Sequence, residues 1–283
     1  MQDIYKKTKE FCRLYNITPA RSRGQNFLIK EEIYNKIIKT AEIKKDDVIL
    51  EVGPGFGFLT AKLAQKAEKV IAVELDNKIA EILKTGFIAQ GVDNIKVVNE
   101  NILDLEINTP LAMGGRGKYK IVANLPYNIT SVFLKKFLSA ENKPELMVLM
   151  LQREVAERIC ARPGKMSLLA VSVQFYAEPE IIAYAPAEDF WPQPEVDSAI
   201  IKIKIKSSPP FLNKGGKNEK DFFRLVKIGF SARRKMLKNN LANGYHITQT
   251  EAEERLKQAG FSPKIRAQEL SVADWKKLLV AFC

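Results

Sequence analysis

The chain has 283 residues, of which 46% are hydrophobic and 28% charged, a composition typical of a globular protein with a sizeable core. Three widely spaced cysteines and a single histidine argue against a disulfide framework and exclude a metal site built from several histidines. Because no apolar run reaches membrane-spanning length and no signal peptide is visible, we expect a cytoplasmic protein with neither a membrane nor a metal partner.

The formal net charge of +12 is concentrated in two segments of the chain. Residues 202–240 contain twelve Lys or Arg against two acids, and residues 1–30 contain seven against two. This pattern is typical of a protein that binds a polyanion, and a basic surface that only keeps the chain soluble is the alternative. We expect residues 1–23 to be a mobile basic arm that orders on RNA, with a frayed terminus as the alternative for residues 1–10.

From residue 47 onward, short β-branched segments alternate with segments of helical period. The predicted strands are apolar on both faces, which is typical of a parallel sheet covered by helices on each side. Residues 199–206 alternate strictly between apolar and polar and predict an antiparallel edge strand with one face in water. The other predicted strands are 47–53, 69–76, 94–101, 119–125 and 145–152, and the predicted helices are 57–67, 77–87, 130–140 and 153–161.

The C-terminal part of the chain differs in composition from the part before it. Residues 207–220 are rich in Pro, Gly, Ser and Asn, which predicts a linker. Every segment that follows has helical period, namely 221–243, 248–261 and 271–282. We therefore expect an α/β domain over residues 1–206 and a small, basic, all-helical domain over residues 207–283.

Three glycines follow the first predicted strand of the sheet. Gly53, Gly55 and Gly57 suit a sharp turn at which a ligand approaches the backbone closely. Glu74 ends the second strand, where a carboxylate can bind ribose hydroxyls, and Asn101 ends the third, where an adenine would lie. This arrangement favours an adenosine-containing cofactor without distinguishing NAD from S-adenosylmethionine, and a purely structural turn is the alternative.

An asparagine ends the fourth predicted strand and is followed by a rigid turn. The Asn124 amide oxygen and the Leu125 carbonyl offer two neutral acceptors, Pro126 restricts the backbone, and Tyr127 supplies a flat ring. These groups suit a planar base with an exocyclic amine, whose reaction would depend mainly on alignment. Asn as a helix cap beside an ordinary Leu-Pro loop is the alternative.

Several motifs occur together in an order and spacing that resemble the ribosomal RNA adenine N6-dimethyltransferases. These motifs are GQNFLI (24–29), EVGPGFGFLT (51–60), VELD (73–76), NLPYNIT (124–130) and FWPQPEVDSAII (190–201). FSARRKMLKNNL (230–241) and SVADW (271–275) resemble the KsgA branch, which modifies small-subunit ribosomal RNA. The resemblance extends from about residue 20 to the C-terminus.

The resemblance implies a Rossmann-like class I methyltransferase sheet with a small C-terminal helical domain. It implies transfer of methyl groups from S-adenosylmethionine to two adjacent adenosines of small-subunit ribosomal RNA, alone or in an immature subunit. Nothing in the sequence demands a dimer, so we expect a monomer. The residues it assigns to the cofactor are Asn26, Leu28, Gly53, Gly55, Glu74, Asn101, where the family usually has Asp, and Asn124. Those it assigns to catalysis are Asn124, Leu125, Pro126, Tyr127 and Phe190, with the two rings holding a flipped adenine.

In this interpretation the basic residues of the C-terminal domain contact phosphates. Arg233, Arg234 and Lys235 are expected on one helix, with Lys227 and Lys238 close enough in period to share its face.

Other functions compatible with the same motifs stay open. A large-subunit ribosomal RNA adenine methylase of the antibiotic-resistance type shares the QNF, glycine-loop and Asn-Leu-Pro-Tyr motifs. An RNA-binding assembly factor that retained the fold and lost catalysis is a second alternative. An NAD dehydrogenase is disfavoured because Phe58 replaces the third glycine of the dinucleotide fingerprint.

Overall fold

The computed structural model describes residues 3–20, 24–106, 119–207 and 219–282, which form nine strands and eleven α-helices. The strands are β1 (Phe27–Leu28), β2 (Val48–Val52), β3 (Lys69–Glu74), β4 (Ile95–Asn99), β5 (Lys120–Asn124), β6 (Leu146–Gln152), β7 (Ala177–Ala185), β8 (Phe190–Trp191) and β9 (Ser198–Ile205). The helices are α1 (Ile4–Leu14), α2 (Glu31–Thr40), α3 (Phe58–Ala64), α4 (Asn77–Ala89), α5 (Thr130–Ser139), α6 (Arg153–Ile159), α7 (Leu168–Tyr176), α8 (Glu219–Gly229), α9 (Leu237–Tyr245), α10 (Gln249–Gln258) and α11 (Val272–Phe282). No helix of the described residues is both long and apolar enough to cross a bilayer.

Seven of the strands form one sheet in the order β4-β3-β2-β5-β6-β9-β7. The five strands from β4 to β6 run parallel, and all residues of β2 are buried. This agrees with the prediction of a parallel sheet inside an α/β fold. The chain adds β3 and β4 on one side of β2 and then β5 on the other. The strand order therefore reverses between β2 and β5, which is where open α/β sheets bind ligands.

The strand predicted over residues 199–206 is antiparallel, as expected, but its predicted place at the sheet edge is wrong. It corresponds to β9, which lies between β6 and β7, so both of its edges are paired. Its first four residues are all buried, and only its second half carries partly exposed lysines. The outer position belongs to β7, whose alternating exposed residues place it in water on one face. The alternation in β9 thus reflects its polar end and not an edge.

A buried lysine connects the start of β5 to the segment between α2 and β2. Lys120 at the start of β5 forms an ion pair of 2.7 Å with Asp47 and donates to the carbonyls of Ala41 and Glu42 at 3.2 and 2.7 Å. These three oxygen partners compensate for the burial of the ammonium group. The end of α2 is thereby held against the central strands.

Residues 4–14 do not form the mobile arm that their charge suggests. They form α1, in which Ile4, Thr8 and Cys12 are buried. The ring of Phe11 packs against Phe56 with a centroid distance of 5.5 Å. Burial of the apolar face stabilises an amphipathic helix of this kind. The basic composition of the segment alone does not show that such a face is present. The predicted arm residues 21–23 lie outside the described part of the chain.

The residues fall into two compact units, one of Met1–Ala156 with Pro179–Ile205 and the other of Glu157–Glu178 with Lys206–Cys283. The predicted boundary after residue 206 differs from this division by the segment 157–178, which belongs to the second unit. The reason lies in aromatic packing, since the ring centroid of Phe175 in α7 lies 4.5 Å from that of Phe222 in α8. Most of the predicted linker lies outside the described residues.

Candidate active site

One pocket of the first unit lies where the strand order reverses, at the carboxyl ends of the parallel strands. Its lining includes all seven residues that the sequence analysis assigned to the cofactor, and also Pro126. They come from four regions: the segment before α2, the glycine loop after β2, the ends of β3 and β4, and the end of β5. The seven residues are Asn26, Leu28, Gly53, Gly55, Glu74, Asn101 and Asn124.

Two positions of the glycine loop accommodate only glycine. Gly55 has φ +56°, and a Cβ atom there would lie 3.2 Å from the Phe27 ring. Gly57 has φ +81°, and its Cβ would lie 2.7 Å from Leu83 Cδ2. Both positions combine left-handed backbone with close contact, so the tight turn predicted from the glycine spacing is present. The loop therefore brings Gly53 and Gly55, together with Pro54 and Phe56, to the pocket wall.

The carboxylate at the end of β3 is held at the pocket wall by backbone donors. Glu74 is 8% exposed, and its two oxygens accept hydrogen bonds from the backbone N–H groups of Asp76, at 2.9 Å, and of Gly55, at 3.4 Å. Burial raises the pKa of Glu74, and these two bonds oppose that rise because they favour the charged form. The side chain is thus positioned before any ligand binds.

Asn101 lines the same pocket, with its amide engaged in a local turn. Its Oδ1 accepts from the backbone N–H of Leu103 at 3.0 Å, and its Nδ2 donates to the Asp104 carboxylate at 2.9 Å. An amide can make both bonds at once, whereas an aspartate at this position would repel Asp104. Asn101, which stands where the family usually has Asp, therefore has a local hydrogen-bonding partner in Asp104.

The turn after β5 presents an amide oxygen to the pocket. Asn124 Nδ2 donates to the Asn26 carbonyl at 3.4 Å, which identifies Oδ1 as the acceptor side of the amide. The Leu125 N–H donates to Met150 O at 3.2 Å, and Pro126 has φ −55° and ψ 127°. The backbone of the turn is therefore held by the neighbouring strand.

The two predicted stacking rings differ in their surroundings. Tyr127 is half-buried, and its hydroxyl shares a hydrogen bond of 2.7 Å with Ser198 Oγ, which fixes the ring. Burial raises the pKa of Tyr127, so the hydroxyl is neutral. Phe190, in contrast, is 2% exposed and packs in the main core cluster, and neither ring is among the residues that line the pocket. Both faces of its ring are covered, so a two-ring clamp requires this ring to be uncovered.

A buried acid in the pocket wall escaped the sequence analysis. Glu51 in β2 is 1% exposed, and its Oε2 has no hydrogen-bond partner among the described residues. Burial raises its pKa to about 8, and the charge of Glu74 adds to the rise. The available signal was one carboxylate inside the otherwise apolar strand VILEV, where charged residues are rare.

The predicted phosphate-binding residues of the second unit do not share one helix. Residues 230–236 form a turn between α8 and α9, in which Arg233, Arg234 and Lys235 are exposed. The helical period predicted a continuous helix, but Asn240 Nδ2 donates to the carbonyls of Gly229 and Ala232 at 2.6 and 3.1 Å and holds the chain in the turn.

The other two predicted phosphate ligands lie on the flanking helices. Lys227 is exposed on α8, whereas Lys238 on α9 forms an ion pair of 2.8 Å with Glu253. Arg266, which the sequence analysis missed, lines a concavity with the three exposed cations of the turn. The cationic site of this unit is thus a loop surface and not a helix face.

Known proteins resemble this chain over nearly its whole length. A family model described as ribosomal RNA adenine dimethylase matches residues 18–281. A ribosomal RNA small subunit methyltransferase A from Dehalococcoides mccartyi is 42% identical over 276 residues, covering 98% of this chain and 92% of the relative. The protein of that name from Clostridioides difficile is 40% identical over 275 residues, covering 96% and 93%.

Two crystal structures resemble the chain over most of its length. A dimethyladenosine transferase from Plasmodium falciparum has a TM-score of 0.75 and 27% identity, covering 90% of this chain and 97% of its own. The 23S rRNA methyltransferase ErmE has a TM-score of 0.73 and 27% identity, covering 91% and 99%. From the family match and the identity to curated relatives, the chain belongs to the ribosomal RNA adenine dimethylase family.

Proposed function

We propose that this chain transfers methyl groups from S-adenosylmethionine to the N6 amines of two adjacent adenosines near the 3′ end of small-subunit ribosomal RNA. The products are N6,N6-dimethyladenosines formed during assembly of the small subunit. The observation that carries the proposal is the position of the Asn124 amide oxygen in the same pocket as the glycine loop and Glu74. An acceptor for an exocyclic amine and a site for an adenosine cofactor therefore lie side by side.

The residues of the pocket fit the cofactor of the family, S-adenosylmethionine. Gly53 and Gly55 allow a ligand to approach the backbone of the glycine loop, and Glu74 is held where a ribose would need two acceptors. Glu51 also lines this pocket, and a cationic ligand there would favour the charged form of its buried carboxyl. We assign Asn26, Leu28 and Asn101 to the remaining contacts with the cofactor.

S-adenosylmethionine, when bound, supplies an electrophilic methyl group on a positively charged sulfur. Asn124 Oδ1 and the Leu125 carbonyl accept hydrogen bonds from the adenine amine and direct its lone pair at that carbon. Methyl transfer to the adenine nitrogen would leave the demethylated cofactor and one proton, which the amine would release to water. Pro126 holds the turn open, and Tyr127, fixed by Ser198, provides a stacking face.

Binding of the RNA is assigned to exposed cations of the second unit. Arg233, Arg234 and Lys235 lie together on the turn 230–236, with Lys227 on the preceding helix. We assign a lesser role to Lys238 because its charge is paired with Glu253. The proposed partner is small-subunit ribosomal RNA or the immature subunit, bound by a monomer in the cytoplasm. Phosphate contacts of this kind make the affinity fall as salt rises.

The likeness to ErmE is the observation that favours a second candidate, methylation of large-subunit ribosomal RNA. The relatives at 40–42% identity are named as small-subunit methyltransferases, however, and they match the chain more closely than the 27% of ErmE. Primer extension on both ribosomal RNAs after incubation with the protein distinguishes the two. Stops in large-subunit RNA alone would replace the proposed function with the second candidate.

The decisive experiment measures transfer of labelled methyl groups to small subunits that lack the modification. We expect wild type to transfer the label and Asn124→Ala to reduce kcat by about 10²-fold at saturating cofactor, since alignment is lost. Asn35→Ala, which removes an exposed amide on α2, is the matched control and should retain activity. Arg233→Glu with Arg234→Glu should weaken subunit binding and leave cofactor binding unchanged. RNA binding by wild type without any methyl transfer would instead support the non-catalytic alternative.

A further inference from the structure

The outer face of α1 carries three cations at helical spacing. Lys6, Lys9 and Arg13 are exposed, and their spacing places them in one stripe along the helix, opposite its buried face. Within the described part of the chain, no carboxylate pairs with any of the three. Glu10 lies at the edge of the same face, so the stripe keeps a net positive charge. An unpaired stripe of this kind attracts phosphates.

The central cation of this stripe is held by aromatic rings. The Lys9 ammonium lies 4.5 Å from the ring centroid of Tyr5 and 5.9 Å from that of Trp191. Cation–π contacts orient an ammonium group without neutralising its charge, in contrast to an ion pair with a carboxylate. Lys9 is therefore positioned and still able to pair with an anion.

A short antiparallel ladder connects Trp191, the ring near Lys9, to the edge of the candidate active site. Trp191 in β8 pairs with Phe27 in β1, and Phe27 directly follows Asn26, which lines the pocket. Trp191 also directly follows Phe190, the predicted second stacking ring. A strand of RNA with one base in the pocket would therefore pass its neighbouring backbone close to Lys9.

We infer that Lys6, Lys9 and Arg13 form a contact surface for the phosphates of unpaired RNA next to the target adenosine. The inference rests on the proposed ribosomal RNA methyltransferase function and extends it to a second region of RNA contact, in the first unit. The surface exists in the folded chain before RNA binds, because α1 is anchored by Phe11 on Phe56. This surface suits a substrate with two adjacent target adenosines, because one adenosine must be held outside the pocket while the other reacts.

The test compares a triple variant, Lys6→Gln with Lys9→Gln and Arg13→Gln, with wild type in binding to unmodified small subunits. Loss of three phosphate contacts should reduce affinity on the order of tenfold and make the slope of log K against log salt shallower by about 2. Cofactor affinity and kcat at saturating subunits should stay at wild-type values, because the substituted residues lie outside the pocket. The matched control removes three exposed lysines elsewhere on the same unit, namely Lys66→Gln, Lys84→Gln and Lys96→Gln.

A second readout locates the RNA with intrinsic fluorescence. The chain has two tryptophans, and Trp275 is fully buried in the second unit, so a short oligoadenylate should quench Trp191 alone. The quenching should disappear in Trp191→Phe. Equal affinities and salt slopes in the triple variant and its lysine control would overturn the inference, as would wild-type quenching in the triple variant. Failure of wild type to transfer methyl groups would instead count against the proposed function, because binding and quenching are measured without the cofactor.

Discussion

The buried acid of the pocket predicts an unusual dependence of stability on pH. Glu51 has its pKa raised to about 8 in the folded chain, from an ordinary value of 4.5, mainly because burial disfavours the carboxylate. Between these two values the folded chain holds a proton that the unfolded chain has released. The free energy of unfolding therefore falls as pH rises through this window. The contribution is complete below pH 4.5 and is lost at about pH 8.

The size of the effect follows from the two pKa values. Each unit of difference corresponds to about 1.4 kcal/mol, so the whole window amounts to roughly 5 kcal/mol. Over the convenient range from about pH 5.5 to about pH 7.5, the expected loss is about 3 kcal/mol. Glu51→Gln keeps the size of the side chain and cannot titrate, so it should lack this loss. The free energy of unfolding of the variant should therefore rise relative to wild type as pH increases.

The assay is urea unfolding of wild type and Glu51→Gln without cofactor at several pH values across this range. Only the difference between the two proteins is interpreted, because titration of the other carboxylates is common to both. Glu81→Gln, which changes an exposed carboxylate on α4, is the matched control and should follow wild type. A difference between wild type and Glu51→Gln that is constant with pH would refute the reasoning, since Glu51 would then not titrate in this window.

Two further substitutions, each paired with a control, test the packing of a glycine and a buried ion pair. Gly229→Ala places a Cβ atom 2.2 Å from the buried ring of Trp275, so urea unfolding should show a loss of roughly 1–3 kcal/mol. Gly86→Ala, a helical glycine with no atom within 4 Å of the new Cβ, should instead stabilise by up to about 1 kcal/mol, and equal effects would contradict the packing argument. Lys120→Met removes the ammonium partner of the partly buried Asp47, which keeps the Lys44 N–H, and of two carbonyls, and should cost about 2–3 kcal/mol. Lys257→Met breaks only an exposed helical ion pair of 3.0 Å, so a loss above about 1 kcal/mol there would contradict the assignment.

Much of the candidate site could be predicted because its signals are local. A glycine is required wherever the backbone is left-handed and crowded, as at Gly55 and Gly57, and this requirement is visible in the residue type itself. Glu74 and Asn124 end buried strands, and the carboxyl ends of parallel strands meet at one edge of a sheet. The spacing of strands and polar strand ends therefore predicted that Glu74, Asn101 and Asn124 lie together, whereas Asn26 and Leu28 followed only from the family resemblance.

The failures have a common cause, which is contact between residues far apart in the sequence. The alternation of apolar and polar residues in β9 does not show whether β7 will pair with its outer edge. The helical pattern across residues 221–243 does not show that Asn240 will hold the preceding turn. Basic composition at the N-terminus likewise concealed the buried face of α1.

By itself, the sequence determined the α/β class, the parallel strands, the glycine turn and the asparagine at the end of β5, since each depends on backbone sterics or on the period of neighbouring residues. Only the tertiary structure decided that Phe190 is covered, that Lys238 is paired with Glu253, and that Glu51 is buried with no partner for its Oε2 in the described part of the chain. Exposure and ionisation depend on which distant groups pack around a side chain, and such packing is a property of the folded chain as a whole.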